Sequence, residues 1–150
     1  MKIHLKQIPA QGLHLDGDED CPIHDLEAEG IRCAGPLHYN MDVGITGGGL
    51  WARGWLSQPV ELRCVSCLEK FMYEIRVSAF VVHTELSGPE TVDLGPFIRE
   101  DLLLNLPAHP RCDRDGNRVC KGKQPETVDQ GDTKRKLDWS ALDSLKIENR

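Results

Sequence analysis

Four of the six cysteines form two pairs along the chain. Cys64 and Cys67 are separated by two residues, and Cys112 and Cys120 are separated by seven. Two thiolates three positions apart at a turn can hold one metal ion without backbone strain, and four thiolates complete the tetrahedral coordination that structural zinc prefers. The spacing therefore predicts one structural zinc ion bound by Cys64, Cys67, Cys112 and Cys120.

Two other interpretations of these thiols stay open. Buried reduced cysteines behave as small hydrophobic residues and need no metal. A redox pair of the thioredoxin kind needs a helix to begin at the first cysteine, because a helix N-terminus lowers the pKa of the attacking thiol. Cys64 instead follows a β-like segment. Cys21 and Cys33 lie outside both pairs, and the sequence predicts no role for them.

The expected compartment bears on how the thiols are used. Residues 1–8 lack the apolar run and the cleavage site of a secretory signal peptide. No stretch approaches the roughly 18 apolar residues that span a bilayer. We therefore expect a cytoplasmic protein without membrane contact, whose cysteines are reduced thiols or metal ligands rather than disulfides.

The charge pattern limits how the chain could bind nucleic acid. A formal net charge of −6 argues against a protein that coats nucleic acid over its whole surface. Residues 16–29 carry seven acids and no lysine or arginine, whereas residues 111–136 carry eight lysines and arginines against five acids. Cations at the start of this second stretch are expected to contact phosphates. The candidate nucleic-acid-binding residues are Arg111, Arg114, Arg118, Lys121 and Lys123.

The elements that would position these residues are mainly strands. Alternating apolar residues and turn residues predict an antiparallel β domain over residues 1–120. An opening strand at residues 1–9 leads into an acidic connection at 11–22 and a short helix near 25–29. Three glycines at 47–49 predict a hairpin turn. Further strands are expected at residues 37–46, 50–56, 60–64 and 71–84.

Two features of these strands bear on burial. Ile75 and Val77 share one face of the last strand with Ala79 and Val81, whereas Phe80 lies on the other face, as does residue 82. The second half of this strand is therefore expected to be buried on both sides. Trp51 and Trp55 share a strand face where they could stack on unpaired bases, but we expect both indoles in the core.

After residue 93 the period changes to that of a helix. One main helix is predicted near residues 94–106, capped by Asp93 and ending before Pro107. It is expected to form a lid on one face of the sheet, with partner binding as the alternative. Residues 121–150 predict a flexible tail with a short helix at 138–146. The predicted fold class is α+β and mostly β, an antiparallel barrel-like or sandwich sheet packed by one main helix, with a loosely ordered C-terminal tail.

The cysteine segment also resembles a known family. Residues 62–71, Leu-Arg-Cys-Val-Ser-Cys-Leu-Glu-Lys-Phe, are similar to the central motif of the YceD family, the large ribosomal RNA subunit accumulation proteins. The similar features continue through Asp93-Leu94, Arg99-Glu100, residues 102–107 and the Cys-Lys-Gly at 120–122. The resemblance covers roughly residues 50–125. It implies a role in accumulation or processing of 23S ribosomal RNA during large-subunit assembly, and it identifies no reaction.

The residues agree with a protein that is not an enzyme. The sequence contains no P-loop, no dinucleotide-binding glycine motif and no Ser-His-Asp series. The first hypothesis is therefore a ribosome-assembly factor that contacts 23S ribosomal RNA or its precursor. The second is a zinc module that holds a basic ribosomal protein through the acidic segment Asp16–Glu29, and the third is a thiol redox protein that uses Cys64 and Cys67.

Overall fold

The computed structural model describes residues 1–122. The predicted helix at 138–146 and nearly all of the predicted tail lie outside the described residues. Within them the strands are β1 (Lys2–His4), β2 (Leu13–Glu19), β3 (Ile31–Cys33), β4 (Leu37–Thr46), β5 (Gly49–Arg63), β6 (Lys70–Glu85) and β7 (Thr91–Asp93). The helix α1 spans Gly95–Leu104, and short 3₁₀ turns span Leu5–Gln7 and His24–Glu29. None of the helices in this part of the chain has the length and apolar content needed to cross a membrane.

The strand β5 is the axis of the main sheet. Its whole length pairs with β6 on one edge, while β4 and β3 pair with successive parts of the other edge, and β2 adds outside β4. All of these pairs are antiparallel, and β1 and β7 form a separate two-stranded sheet. The sheets do not close into a barrel and instead form a sandwich-like arrangement. The predicted mostly β fold class with one main helix is confirmed.

The core lies on one face of the main sheet, under α1. The side chains of Leu94, Ile98 and Leu102 are at most 1% exposed and pack with the buried residues of β4, β5 and β6. This confirms the predicted lid. The helix begins one residue later and ends two residues earlier than predicted, and Asp93 Oδ1 accepts a hydrogen bond from the Gly95 N–H at 2.9 Å.

A bulge explains the change of face along β6. Gly54 pairs with Phe80 and Leu56 pairs with Val77, so one residue of β5 lies opposite two residues of β6. The extra residue shifts the alternation by one position. Phe80 is therefore fully buried on the same face as Val77, whereas Val81 is 70% exposed. The expected burial of both faces is wrong. The strand keeps one buried face, to which odd-numbered residues point before the bulge and even-numbered residues after it.

The N-terminal third also differs from the sequence-based prediction. Residues 13–19, expected in an acidic connection, form β2, in which His14, Asp16 and Asp18 alternate with less exposed neighbours. The acidic side chains face solvent because β2 has one polar face. The opening strand is shorter than predicted, since a 3₁₀ turn replaces it from Leu5 onward. The short helix near 25–29 is confirmed as a 3₁₀ turn that ends at Gly30, where φ is 82°.

The expectation for the two tryptophans is wrong. Both lie on the face of β5 opposite the core, where Trp51 is half-buried and Trp55 is 44% exposed. Their neighbours Leu50, Ala52 and Leu56 occupy the core face instead. The core face of β5 thus carries small and aliphatic side chains, and the two indoles remain on the outside of the sheet.

The bulge makes a prediction about adjacent residues of β6. Phe80→Ala is expected to lower the free energy of unfolding by about 3–5 kcal/mol, because it leaves a cavity in the core. Val81→Ala is expected to change it by less than about 0.5 kcal/mol, because that side chain is exposed. Urea unfolding of the two variants measures both values. A larger loss for Val81→Ala than for Phe80→Ala would show that the register is wrong.

Candidate metal centre

The first cysteine pair lies at the turn that joins β5 to β6. Cys64 follows the last residue of β5, and Cys67 lies within the turn before Lys70. Backbone hydrogen bonds close this turn, from the Leu68 N–H to the Cys64 carbonyl and from the Cys64 N–H to the Glu69 carbonyl, both at 2.9 Å. The longest strand pair of the molecule therefore ends in a loop that holds two thiols close together.

Leu68 has an unusual backbone conformation in this turn. Its φ is 60°, in the left-handed region that glycine normally occupies, and it is the one non-glycine residue with positive φ among residues 1–122. A leucine there costs about 1–2 kcal/mol relative to a right-handed conformation. The side chain is 69% exposed, so burial does not offset this cost. The left-handed residue turns the chain back toward β6 after the second thiol.

The second cysteine pair comes back to this turn after α1. The Val65 N–H donates to the Pro110 carbonyl at 2.9 Å, which ties the two loops together just before Cys112. The loop between Cys112 and Cys120 turns at Gly116, where φ is 71°. This turn brings Cys120 back beside Cys112 although seven residues separate them.

Gly122 allows the close approach of the chain after Cys120. A Cβ atom at this position would lie 2.5 Å from the Ser66 carbonyl oxygen and 3.0 Å from the Cys67 backbone nitrogen. Both contacts are with backbone atoms, which cannot move aside as the end of a side chain can. A glycine at 122 is therefore needed for the second cysteine segment to lie against the first.

The four predicted ligands come together as a compact cluster. The Sγ atoms of Cys64, Cys67, Cys112 and Cys120 all lie within 4.8 Å of one another. The Cys64–Cys120 and Cys67–Cys112 sulfur distances are 3.8 Å and 3.6 Å. Four sulfurs about 2.3 Å from a central zinc ion would be separated by about 3.8 Å. Two of the sulfur pairs are already at this separation, so the cluster could hold one metal ion of this size after small shifts of the side chains.

The electrostatics of the cluster favour a bound cation. Backbone N–H groups lower the pKa of the Cys64 thiol to about 6, with that of Cys67 contributing most and that of Cys112 next. Burial raises the pKa of Cys112 to about 12, and the neighbouring sulfurs add to this effect. The Glu69 N–H lowers the pKa of Cys67, but burial and the Cys64 sulfur raise it overall. Four thiolates side by side need a positive charge between them.

The arrangement differs from that of a thioredoxin-like redox pair. Cys64 follows a strand, and the helix α1 begins far along the chain at Gly95. The Cys64 side chain is fully buried, so its sulfur is closed to a second protein. Each sulfur of the first pair lies within 3.8 Å of a sulfur of the second pair. The four thiols thus form one set rather than a separate reactive pair.

Four of the predicted basic residues lie in the segment that carries Cys112 and Cys120, and acidic groups pair with three of them. Lys121 Nζ lies 2.8 Å from a Glu69 carboxylate oxygen, and Arg118 lies 3.6 Å from the same carboxylate. Arg111 lies 3.3 Å from Asp113. Arg114, Arg111 and Asp113 line an open cavity of about 410 Å³ beside the second cysteine loop. The fifth candidate, Lys123, lies outside the described residues.

Sequence reasoning assigned no role to two residues that shape this region. Glu69 ion-pairs with both Arg118 and Lys121, and these partners lower the pKa of its carboxyl. No sequence signal identifies it, since the pairing joins segments about fifty positions apart. Gly122 follows the last cysteine almost directly, and a glycine beside a ligand can indicate a close backbone approach.

The prediction that no cysteine forms a disulfide is wrong for Cys21 and Cys33. The two are joined by a disulfide with a Cα–Cα distance of 6.3 Å. Cys21 follows β2 by two residues and Cys33 ends β3, so the bond closes the loop that contains the His24–Glu29 turn. Arg99 of α1 secures the same loop, with hydrogen bonds to the Pro22 carbonyl at 2.7 Å and to both carboxylate oxygens of Asp25. The four other cysteines are free thiols.

Comparison of the chain with protein-family models, with curated proteins and with solved structures found no match in any of the three.

The two classes of cysteine can be distinguished chemically. We expect the protein, denatured in the presence of a chelator but without reductant, to take up four alkyl groups at cysteine, because the disulfide protects the other two sulfurs. After reduction it is expected to take up six. Mass spectrometry of the intact chain and of its peptides assigns the sites. Six modified cysteines before reduction would show that Cys21 and Cys33 are not bonded.

Proposed function

We propose that the chain is a non-enzymatic binding protein whose folded shape depends on one structural zinc ion. The observation that carries this proposal is the cluster of four cysteine sulfurs within 4.8 Å of one another. Four thiolates suit zinc better than they suit magnesium or calcium, which prefer oxygen ligands. A complete set of four protein ligands also leaves no open position for substrate or water.

The zinc ion in this proposal links the segment from Cys112 to Cys120 to the β5–β6 turn. It would fix the loop that carries Arg111, Arg114, Arg118 and Lys121 in one position relative to the sheet. Side chains on a fixed loop lose less conformational entropy when they bind a partner. The thiol redox alternative receives less support, because Cys64 is buried and no helix begins there.

The partner we propose for this loop is 23S ribosomal RNA or its precursor, during assembly of the large subunit in the cytoplasm. Two arguments support this: the resemblance of residues 62–122 to the YceD family, and the cations beside the metal centre. Glu69 partly neutralises Arg118 and Lys121, so it competes with phosphate for them. RNA binding through this loop is therefore expected to be moderate and sensitive to salt.

A second candidate function is binding of a basic ribosomal protein. The structure provides a specific observation for it, because Asp16 and Asp18 face solvent along the edge of the sheet on β2. Carboxylates exposed together attract lysine and arginine side chains and repel phosphate. The two candidates use different surfaces and are compatible within one assembly factor.

The metal content tests the first part of the proposal. The purified full chain is expected to contain one zinc ion, measured by mass spectrometry of the metal, and Cys120→Ser should lose most of it because only three thiolates remain. The Cys21→Ser/Cys33→Ser double variant is the matched control and should keep its zinc. Absence of zinc from the wild-type protein, or equal retention by Cys120→Ser, would contradict the proposal.

The proposed RNA contact can be tested with substitutions of opposite expected effect. Arg118→Gln/Lys121→Gln should weaken binding to a 23S ribosomal RNA transcript and reduce its salt dependence, whereas Glu69→Gln should strengthen binding by freeing both cations. Filter binding at several salt concentrations measures these changes. Lys6→Gln, a change of an exposed cation on another part of the surface, is the control. RNA binding that none of these substitutions alters would exclude this loop as the contact.

A further inference from the structure

The face of the main sheet opposite α1 presents aromatic and apolar side chains to solvent. We call this the outer face, meaning the exposed side of β2, β4, β5 and β6. Trp55 and Val81 lie on it and are 44% and 70% exposed. Apolar groups of this size on a sheet face are typical of a surface that a partner covers.

Trp51 shows how the outer face holds a cation. A Cβ atom at Gly44 would lie 2.7 Å from the indole nitrogen of Trp51, so this indole lies flat against the backbone of β4. The guanidinium carbon of Arg53 lies 5.8 Å from the centre of the Trp51 ring, on the outer face. This distance is typical of a cation–π contact. One of the two tryptophans on the outer face therefore already has a cation–π partner within the protein, Arg53.

Trp55 has no such cation from its own chain among the described residues. It falls at the register break of the β5–β6 pair, where the exposed bulge residues Ser78 and Ala79 lie opposite it. Both are small, so they leave the indole accessible from that side. On the other side, Trp55 pairs with Asn40, whose amide donates to an Asp16 carboxylate oxygen. An open indole thus lies in one cross-strand row with a carboxylate.

The charge around Trp55 favours a cationic partner. The outer face near this residue carries Asp42 on β4 and Glu74 on β6 in addition to the β2 carboxylates of Asp16 and Asp18. Against these four acids stand two arginines, one of which, Arg76, is paired with Glu74. Two of the other carboxylates are paired with histidines: His14 contacts Asp42, and His38 contacts Asp18. A surface with more carboxylates than guanidinium groups repels phosphate and attracts lysine and arginine.

We infer that the outer face binds a lysine- and arginine-rich segment of a partner protein, with Trp55 as the aromatic anchor for one cation and Asp16, Asp18 and Asp42 as carboxylate partners for others. This inference rests on the second candidate function and names its surface and its chemistry. It does not involve the metal centre or the basic loop. RNA is disfavoured here by the same carboxylates that attract a basic polypeptide.

The probe for this surface is a short synthetic peptide of lysine, arginine and glycine residues, titrated calorimetrically into the full chain. Binding is expected at about 50 mM salt and should weaken clearly at about 200 mM, because exposed charges are screened. Trp55→Ala should weaken the peptide affinity roughly 3- to 30-fold, the range of a cation–π contact. Asp18→Asn should weaken it less, and Trp55→Phe should fall between Trp55→Ala and the wild type.

The controls separate this inference from the proposals above. Glu100→Gln removes an exposed carboxylate from α1, on the other side of the sheet, and should leave peptide affinity unchanged. Thermal unfolding of each variant checks that the fold is kept. Equal peptide binding by Trp55→Ala and the wild type would overturn the inference. A uridine oligonucleotide that binds more tightly than the peptide, and whose binding is weakened by Trp55→Ala, would also overturn it. RNA binding that Arg118→Gln/Lys121→Gln leaves unchanged, with peptide binding by the outer face retained, would instead count against the first function alone.

Discussion

The pairing of β5 with β6 is the constraint on which the rest of the structure depends. The two strands of 15 and 16 residues pair from Gly49 to Arg63 with one break at Trp55, β3 and β4 pair with the other edge of β5, and β2 pairs with β4. A slip of one residue would move Leu50, Ala52 and Leu56 out of the core. At the bulge of Ser78 and Ala79, β6 has one residue more than β5, and the alternation of buried and exposed residues along β6 shifts by one position. The same pairing decides which side chains face α1 and which face solvent.

The cysteine cluster extends this constraint beyond the sheet. Without a link between the cysteine pairs, the last described segment would be held to the sheet mainly by α1. The helix contacts the core through its buried residues Ile98 and Leu102. The contacts between Val65 and Pro110 and between Gly122 and Ser66 bring the chain back to the β5–β6 turn. A metal bound by the four cysteines would fix this link in a chain whose core is built from one face of a single main sheet. The disulfide between Cys21 and Cys33 secures a different loop, at the opposite edge of β5.

Much of this architecture could be predicted from local patterns. The glycines at 47–49, the alternation in β4 and β5 and the helix near 94–106 follow from turn chemistry and periodicity. The grouping of the four cysteines was predicted from their spacing and from the ligands that zinc prefers. The signals for the turn, the strands and the helix are each contained in a short window of sequence, whereas the two cysteine pairs have 44 residues between them.

Most of the errors have a different origin. The strand β2 was predicted as a connection because its segment is rich in acidic residues. Its polar positions nevertheless alternate with less exposed ones: His14, Asp16 and Asp18 against Leu13, Leu15 and Gly17. The burial of Phe80 depended on a bulge that involves two strands, and the exposure of Trp55 depended on which face α1 covers. The bond between Cys21 and Cys33 joins residues 12 positions apart whose proximity only the pairing of β3 with β5 reveals. The alternation of β2 is present in the sequence, whereas contacts between separate segments decided the other three, and a single sequence does not record those contacts.

The order of the cysteines along the chain has a consequence for how the protein is made. Cys64 and Cys67 are synthesised before β6, β7 and α1, whereas Cys112 and Cys120 are synthesised after them. During translation the first pair therefore exists as two unliganded thiols at the end of a hairpin, until nearly all of the described fold has been made. A chain that stops before residue 112 has only two of the four cysteines. Closure of the four-sulfur cluster around a metal would therefore require every described strand and α1 to have been made first.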